Sequence, residues 1–217
     1  MRYVDLSHEI FDGLITYKGL PAPLICDFLT REASRSMYDG DTSFSIGKVE
    51  MVGNSGTYMD CPFHRYADGK DFSELFVSDL ADLLAVKVSV PHQEIQAIDR
   101  KYFEGLNLTN KAVLIETGWS KFWNTDRYFE GHPFVTSDAA QYLFENKVKL
   151  VGIDSYNIDD TRQNSRPAHS ILLANDIPIV EHMCQLHLVP KSDFFFTAVP
   201  PKIKAMGSFP VRAFAKF

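Results

Sequence analysis

Three short apolar runs constrain the fold of this chain more than any other feature. They are rich in β-branched residues and lie at Ala85–Val90, Ala112–Glu116 and Val148–Ile153. Runs of this length and composition are typical of buried strands. The stretch Thr136–Asn146, between the last two runs, has helical spacing with Thr136 as the expected N-cap. Strands that alternate with helices predict a mixed α/β core.

Other segments extend this predicted core. We predict a second helix over Ile95–Phe103, and a half-buried antiparallel strand over Ser43–Val52, where apolar and polar residues alternate. Three further strand-like segments lie in the last third of the chain: Ile177–Val180, Phe194–Val199 and Val211–Phe214. No repeat or long linker divides the sequence, so we expect one domain over residues 1–217.

Charge and composition indicate which kinds of molecule this protein binds. The chain has 22 Lys and Arg against 28 Asp and Glu, and its net charge is −6. The basic residues form no cluster, which argues against a nucleic-acid or anionic-membrane partner. No apolar run approaches the roughly 20 residues of a membrane span, and the N-terminus lacks the apolar core of a signal peptide. The three cysteines are widely spaced, without a disulfide framework or a CxxC pair. We expect a cytoplasmic protein that acts on a small molecule.

The densest group of polar residues is Gly53–Asp68, which reads GNSGTYMDCPFHRYAD. Pro62 excludes an ordinary helix interior between Asp60 and His64, so both lie on an extended or looped segment. A carboxylate and an imidazole this close suit a divalent metal or an acid/base pair. A turn cap and a surface hydrogen bond fit the same residues, so this segment alone leaves both interpretations open.

A second polar group lies in Arg166–Leu188. His169 begins an apolar run that resembles a short helix, and Glu181 ends a predicted strand. A carboxylate at the end of an apolar strand is costly to bury unless it is paired or bound to a metal. An exposed Glu181 that caps the next turn fits the pattern equally well.

Neighbouring residues receive simpler interpretations. His182 and His187 are predicted to lie at the rim of a site. The acidic run Asp154–Asp160 lacks the glycine and terminal glutamate of a calcium loop, and we expect a solvated loop near the site. Arg166 precedes Pro167, and it either binds a substrate carboxylate or is a surface residue.

Taken together, these segments resemble the cyclase family of metal-dependent hydrolases, which includes bacterial kynurenine formamidase and isatin hydrolase. The family signature H-x-G-T-H-x-D-x-P-x-H aligns with the segment NSGTYMDCPFH, from Asn54 to His64. Asn54 and Tyr58 replace the two leading histidines, whereas Asp60 and His64 match. The likeness covers nearly the whole chain, through Asp5-Leu6-Ser7, Thr117-Gly118-Trp119, Val151–Ser155, His169, Glu181 and Pro210-Val211-Arg212.

The resemblance also implies a reduced metal site. In the family, the leading histidines and the aspartate hold one divalent metal. Asn54 offers only an amide oxygen, and the phenol of Tyr58 has an ordinary pKa near 10, so neither replaces a histidine well. With this metal position lost, the resemblance implies a site for one divalent ion, Zn or Mn, or no metal at all. The implied ligands are Asp60, His64, His169 and Glu181, and the implied catalytic residues are His64, Tyr58 and Asp60.

The activity implied by the resemblance is hydrolysis of C–N bonds other than peptide bonds, on a small amide, lactam or lactone. Two alternatives stay open: a small-molecule binding protein that has lost catalysis, and a metal-free lyase or cyclase that relies on acid/base chemistry. We expect Asn54, Tyr17 and Trp119 to contact the substrate, with Phe194–Phe196 as further apolar walls.

The resemblance implies an architecture as well. Family members have a swivelling β/β/α fold, in which a mixed, barrel-like β-sheet core is flanked by helices. They assemble as homodimers or homotetramers with sites near the subunit interface. The 17 Phe, 9 Tyr and 2 Trp of this chain are enough to supply such an interface.

Overall fold

A mixed β-sheet organises the computed structural model, which describes residues 1–217. The strands are β1 (Tyr3–Asp5), β2 (Leu24–Leu29), β3 (Ile46–Glu50), β4 (Tyr58–Asp60), β5 (Leu83–Ser89), β6 (Ala97–Ile98), β7 (Ala112–Glu116), β8 (Phe134–Val135), β9 (Leu150–Ile153), β10 (Ile179–Glu181), β11 (Phe194–Thr197), β12 (Ser208–Pro210) and β13 (Phe214–Lys216). The α-helices are α1 (Arg31–Ser34), α2 (Ser137–Glu145) and α3 (Pro167–Ala174). Short 3₁₀ helices lie at Arg35–Met37, Pro62–His64, Val77–Asp79, Arg100–Tyr102, Trp119–Phe122, Asp126–Phe129 and Leu186–Leu188. No helix combines the length and the apolar character needed to cross a bilayer.

Nine of the strands form one sheet, in the order β1-β13-β11-β5-β7-β9-β10-β4-β12. The four central strands, β5, β7, β9 and β10, run parallel to one another. The strands on both sides of them pair antiparallel. This topology confirms the predicted mixed α/β class with a mixed sheet flanked by helices.

The sheet is buried on both faces. Along β7, Val113 and Ile115 join a cluster of 21 core residues that includes α2 and α3. Ala112 and Leu114 join a second cluster of the same size on the opposite face. A strand that is buried on both faces reads as a continuous apolar run, which is why these segments were recognisable in the sequence.

Local patterns predicted α2 and the central strands well. Thr136 caps α2 by accepting a hydrogen bond from Ala139 N at 3.2 Å, and Ala139, Ala140 and Leu143 are buried as expected. The helix predicted over Ile95–Phe103 is wrong. That segment contains β6 and a 3₁₀ helix, because Ala97 and Ile98 pair with β8 and Asp99 caps the turn that follows.

Two predicted strands also differ from the structure. Within Ser43–Val52, β3 pairs only with β2, and every residue of β3 is exposed, so the strand is antiparallel but not half-buried. Val211–Phe214 mostly links β12 to β13. Its backbone donors bond outside a regular ladder, from Val211 N to Thr57 O and from Ala213 N to Ser7 Oγ.

Candidate functional site

Strand β4 and its two neighbours place four polar side chains on one face of the sheet. Side chains alternate along a strand, so Tyr58 and Asp60 share a face while Met59 packs in the core on the other. The antiparallel register sets Glu181 of β10 opposite Tyr58, and Ser208 of β12 opposite Asp60. Polar groups that are far apart in sequence therefore meet beside α3.

Two histidines join this face from a 3₁₀ helix and from α3. The 3₁₀ helix begins at Pro62 and carries His64, whose Nδ1 lies 3.6 Å from Asp60 Oδ1. His169 lies on α3, and its Nε2 is 3.5 Å from Asp60 Oδ2. Ligand atoms of Asp60, His64 and His169 all lie within 4.8 Å of one another. The structure thus brings together three of the residues predicted for the metal.

Asp159 orients His169. Its Oδ1 accepts a hydrogen bond from Ala168 N at 2.7 Å, and its Oδ2 accepts from His169 N at 3.0 Å and contacts His169 Nδ1 at 2.7 Å. The carboxylate therefore caps α3 and leaves Nε2 facing Asp60. Burial alone lowers the pKa of His169, but the hydrogen bond to Asp159 and the nearby carboxylates of Asp60 and Glu181 outweigh it and raise this pKa to about 10.

Glu181 lies beside the group of three and is already hydrogen-bonded. Tyr58 Oη donates to Glu181 Oε2 at 2.5 Å, and Ile158 N donates to Oε1 at 2.6 Å. The same Oε1 is 3.7 Å from His169 Nε2. Burial raises the pKa of Tyr58 well above its ordinary value, so the phenol keeps its proton and acts as a donor. Tyr58 is therefore a partner of Glu181 and a poor metal ligand.

Ser208 connects His64 to Asp60. Its Oγ lies 2.7 Å from His64 Nδ1 and donates a short hydrogen bond to Asp60 Oδ1. The preceding residue must be glycine, because a Cβ on Gly207 would overlap the backbone nitrogen and Cα of His64. This close approach holds β12 against the 3₁₀ helix and fixes one ring nitrogen of His64.

The donor atoms fit a divalent ion. Asp60 Oδ2 is buried and accepts no hydrogen bond, although a buried carboxylate oxygen without a partner costs free energy. It faces the Nε2 atom of His169. Two imidazole nitrogens with one carboxylate oxygen are ligands that zinc, manganese and iron accept.

A cavity of about 330 Å³ opens onto this group. Its lining residues are Tyr17, Leu20, Asn54, Tyr58, Asp60, His64, Arg65, Asn157, Thr161, Arg166 and His169. Of the predicted substrate contacts, Tyr17 and Asn54 line the cavity and Trp119 does not, because its indole is buried and donates to Tyr128 O at 3.0 Å. Phe194 and Phe196 are not walls of the cavity either, since they pack in the core on the opposite face of the sheet.

Several interpretations of neighbouring residues were wrong. The run Asp154–Asp160 is mostly buried and not solvated, because Asp154 accepts hydrogen bonds from Thr117 and Gly118 and Asp159 caps α3. His182 is also fully buried, with Nδ1 2.9 Å from Tyr128 Oη. His187 is exposed but does not line the cavity beside His169, so it is not a rim residue of this site.

Sequence reasoning missed Asp159 and Ser208 as site residues. The apolar residues Tyr156 and Ile158, which alternate with polar ones, were the available signal that the segment before Asp159 is buried. Ser208 had no such signal, since only the pairing of β12 with β4 brings it to Asp60.

Comparison with known sequences finds one matching family and relatives that share one name. The family described as "Putative cyclase" matches residues 4–160, which is more than half of the chain. A protein named kynurenine formamidase from Bacillus cereus is 26% identical over 213 residues, with 98% of this chain and 96% of the relative covered. A kynurenine formamidase from Bacillus cytotoxicus is 27% identical over 214 residues, with the same coverage.

Solved structures share the fold. Isatin hydrolase A from Labrenzia aggregata superposes with a TM-score of 0.83 at 19% identity, covering 99% of this chain and 93% of that one. A structure described as a potential metal-dependent hydrolase with cyclase activity has a TM-score of 0.79 at 24% identity, covering 99% and 96%. At these identities the likeness establishes the architecture alone.

Proposed function

The chain belongs to the cyclase family, and from this premise we propose that it is a metal-dependent hydrolase of a small amide, lactam or lactone. The observation that carries the proposal is the grouping of Asp60, His64 and His169 around a buried carboxylate oxygen that has no other partner. The names of the relatives, formamidase and hydrolase, support the same reaction class.

We propose Asp60, His64 and His169 as ligands of one divalent ion, zinc or manganese. Such an ion, when bound, activates water at neutral pH and polarises a carbonyl. Asp159 holds the ring of His169, and Ser208 holds that of His64, as outer partners of ligands commonly do. In this proposal, Glu181 remains beside the ion with both of its oxygens hydrogen-bonded.

Tyr58 is the proposed proton donor to the leaving group. It lines the cavity and keeps its phenolic proton, because burial and the charge of Glu181 raise its pKa. Its hydrogen bond to Glu181 fixes the position of Oη. Burial also raises the pKa of Glu181 above its usual range, so Glu181 can hold a proton at neutral pH; a protonated Glu181 would donate to Tyr58 Oη and free the phenolic proton for the leaving group.

Hydrolysis by metal-loaded protein tests this function. Protein loaded with zinc or manganese is assayed on a panel of small amides, lactams and lactones, with and without a chelator. We expect turnover that the chelator removes and added metal restores. Turnover that is indifferent to the chelator would favour metal-free acid/base chemistry, and ligand binding without turnover would favour a binding protein.

A homodimer is the assembly that we propose. The β2–β3 ribbon pairs with no other strand, yet it exposes large apolar side chains, including Phe28 at 75% and Val49 at 54%. An isolated two-stranded ribbon is marginally stable in water, and exposed apolar patches commonly mark contact surfaces. A second copy of the chain that packs on this ribbon would shield these side chains from water.

Replacing Phe28 and Val49 together by serine is expected to shift the protein from dimer to monomer, since the change removes apolar area from the proposed interface. Light scattering at several concentrations measures the shift. The matched control is Phe76→Ser, which changes a phenylalanine of similar exposure, 70%, outside the ribbon. A wild-type protein that is monomeric at every concentration would contradict the proposal.

A further inference from the structure

Two arginines line the candidate cavity without an acidic partner. Arg65 directly follows His64, and Arg166 directly precedes α3. Neither guanidinium forms an ion pair within 4.0 Å, although the chain as a whole carries a net charge of −6. Both side chains therefore line the cavity, and no neighbouring carboxylate compensates their positive charge.

The lysines and arginines that line four other cavities of this protein all have a partner. Four further cavities, of about 210 to 630 Å³, are lined by five basic side chains. Their partners are Asp5 for Arg212, Asp160 for Arg162, Asp176 for Lys70, Asp79 for Lys149, and the ring of Phe122 for Lys121. Among these five cavities, only the one beside His169 is lined by arginines without an acidic or aromatic partner.

Arg166 is held in place by only one of its nitrogens. Its Nη1 donates to the carbonyl oxygens of Asp160, Gln163 and Ser165. Its Nε and Nη2 donate to no protein atom, so part of the planar fork remains available to a ligand. A guanidinium fixed in this manner is suited to a carboxylate, because little conformational freedom is lost on binding.

The charge of the site explains why such cations are needed. Asp60, Asp159 and Glu181 lie together around His169, and they would repel an anionic ligand. The two guanidinium groups supply positive charge at the same cavity, which opposes this repulsion.

We propose that Arg65 and Arg166 bind a carboxylate on the substrate, remote from the bond that is cleaved. This inference rests on the proposed hydrolase function and refines it: the substrates are anionic amides or lactams, and neutral ones are disfavoured. Because Arg65 is exposed, the preference weakens as the salt concentration rises.

Paired probes test this preference. N-formylphenylalanine carries a carboxylate, and its dimethylamide is a neutral analogue of similar shape. We expect Arg65→Gln and Arg166→Gln each to lower the ratio of kcat/KM between the anionic and neutral probes about tenfold, as for one lost charge-assisted hydrogen bond. The matched control is Arg162→Gln, in the same loop as Arg166 but paired with Asp160, and it should leave the ratio unchanged. An unchanged ratio in both test variants would overturn the proposal.

A binding measurement separates this inference from the proposed function. If zinc-loaded protein hydrolyses neither probe, calorimetric titration with the two compounds still compares their affinities. Tighter binding of the anion, reduced in both test variants, supports recognition of the carboxylate even where hydrolysis fails. Equal affinity for both compounds overturns it. Arg166 also holds its loop through hydrogen bonds to three backbone carbonyl oxygens, so Arg166→Gln could disturb the loop itself. Arg166→Lys is therefore the second variant, because it keeps the positive charge but removes the planar guanidinium.

Discussion

Replacing His169 by alanine is expected to remove tight metal binding and, with it, hydrolysis. His169 is the buried imidazole of the group, and its Nε2 lies 3.5 Å from the unpartnered oxygen of Asp60. Without it, only Asp60 and the half-exposed His64 remain of the three donors. Loss of a residue that merely orients a ligand costs about 10–100-fold in affinity, and loss of the ligand itself should cost more than about 100-fold.

Calorimetric titration with zinc measures this loss. The control is His187→Ala, which removes an exposed histidine outside the site and should leave the titration unchanged. Thermal melts of both variants show whether the fold is retained. Zinc affinity in His169→Ala that equals the wild-type value would contradict the assignment of this residue as a ligand.

The second large effect is expected at Asp159. Its carboxylate accepts from Ala168 N, His169 N and His169 Nδ1, and it is fully buried. Asp159→Ala leaves these donors without partners and removes the cap of α3. We expect the free energy of unfolding to fall by about 3–5 kcal/mol and metal affinity to fall about 10–100-fold.

Urea denaturation of Asp159→Ala beside Asp160→Ala measures this effect. Asp160 adjoins Asp159 in sequence, but its side-chain partner is Arg162, which is 60% exposed, so its loss should cost within about 1 kcal/mol. If Asp159→Ala does not fold, Asp159→Asn retains one acceptor oxygen and is measured instead. Equal destabilisation at the two positions would contradict the structural role of Asp159.

Much of the fold was predictable because its signals are local. The β-branched runs of β5, β7 and β9 and the capped pattern of α2 follow from residues close in sequence. The exposed ribbon was not predictable in the same way, since the alternation in β3 says nothing about which element packs against it. The short apolar stretch Ile95–Phe103 was ambiguous between helix and strand, and pairing of β6 with β8 decided the outcome.

The residues of the candidate site also differ in whether local sequence signals predict them. Asp60, His64 and His169 were predictable from residue type and from the family resemblance. The residues that hold these side chains in place, Ser208 and Asp159, were not predictable. Ser208 reaches Asp60 through strand pairing across 148 positions, and Asp159 reaches His169 across a folded loop. Sequence reasoning identifies groups that can carry chemistry, whereas the folded chain decides which groups hold them in place.

The number of metal ions per chain is the most direct test of the account. Elemental mass spectrometry on protein purified without chelator and then loaded with zinc or manganese gives this number. The grouping of Asp60, His64 and His169 predicts one tightly held ion per chain. No ion under either loading would contradict a metal-dependent hydrolase, and two ions per chain would contradict the single site.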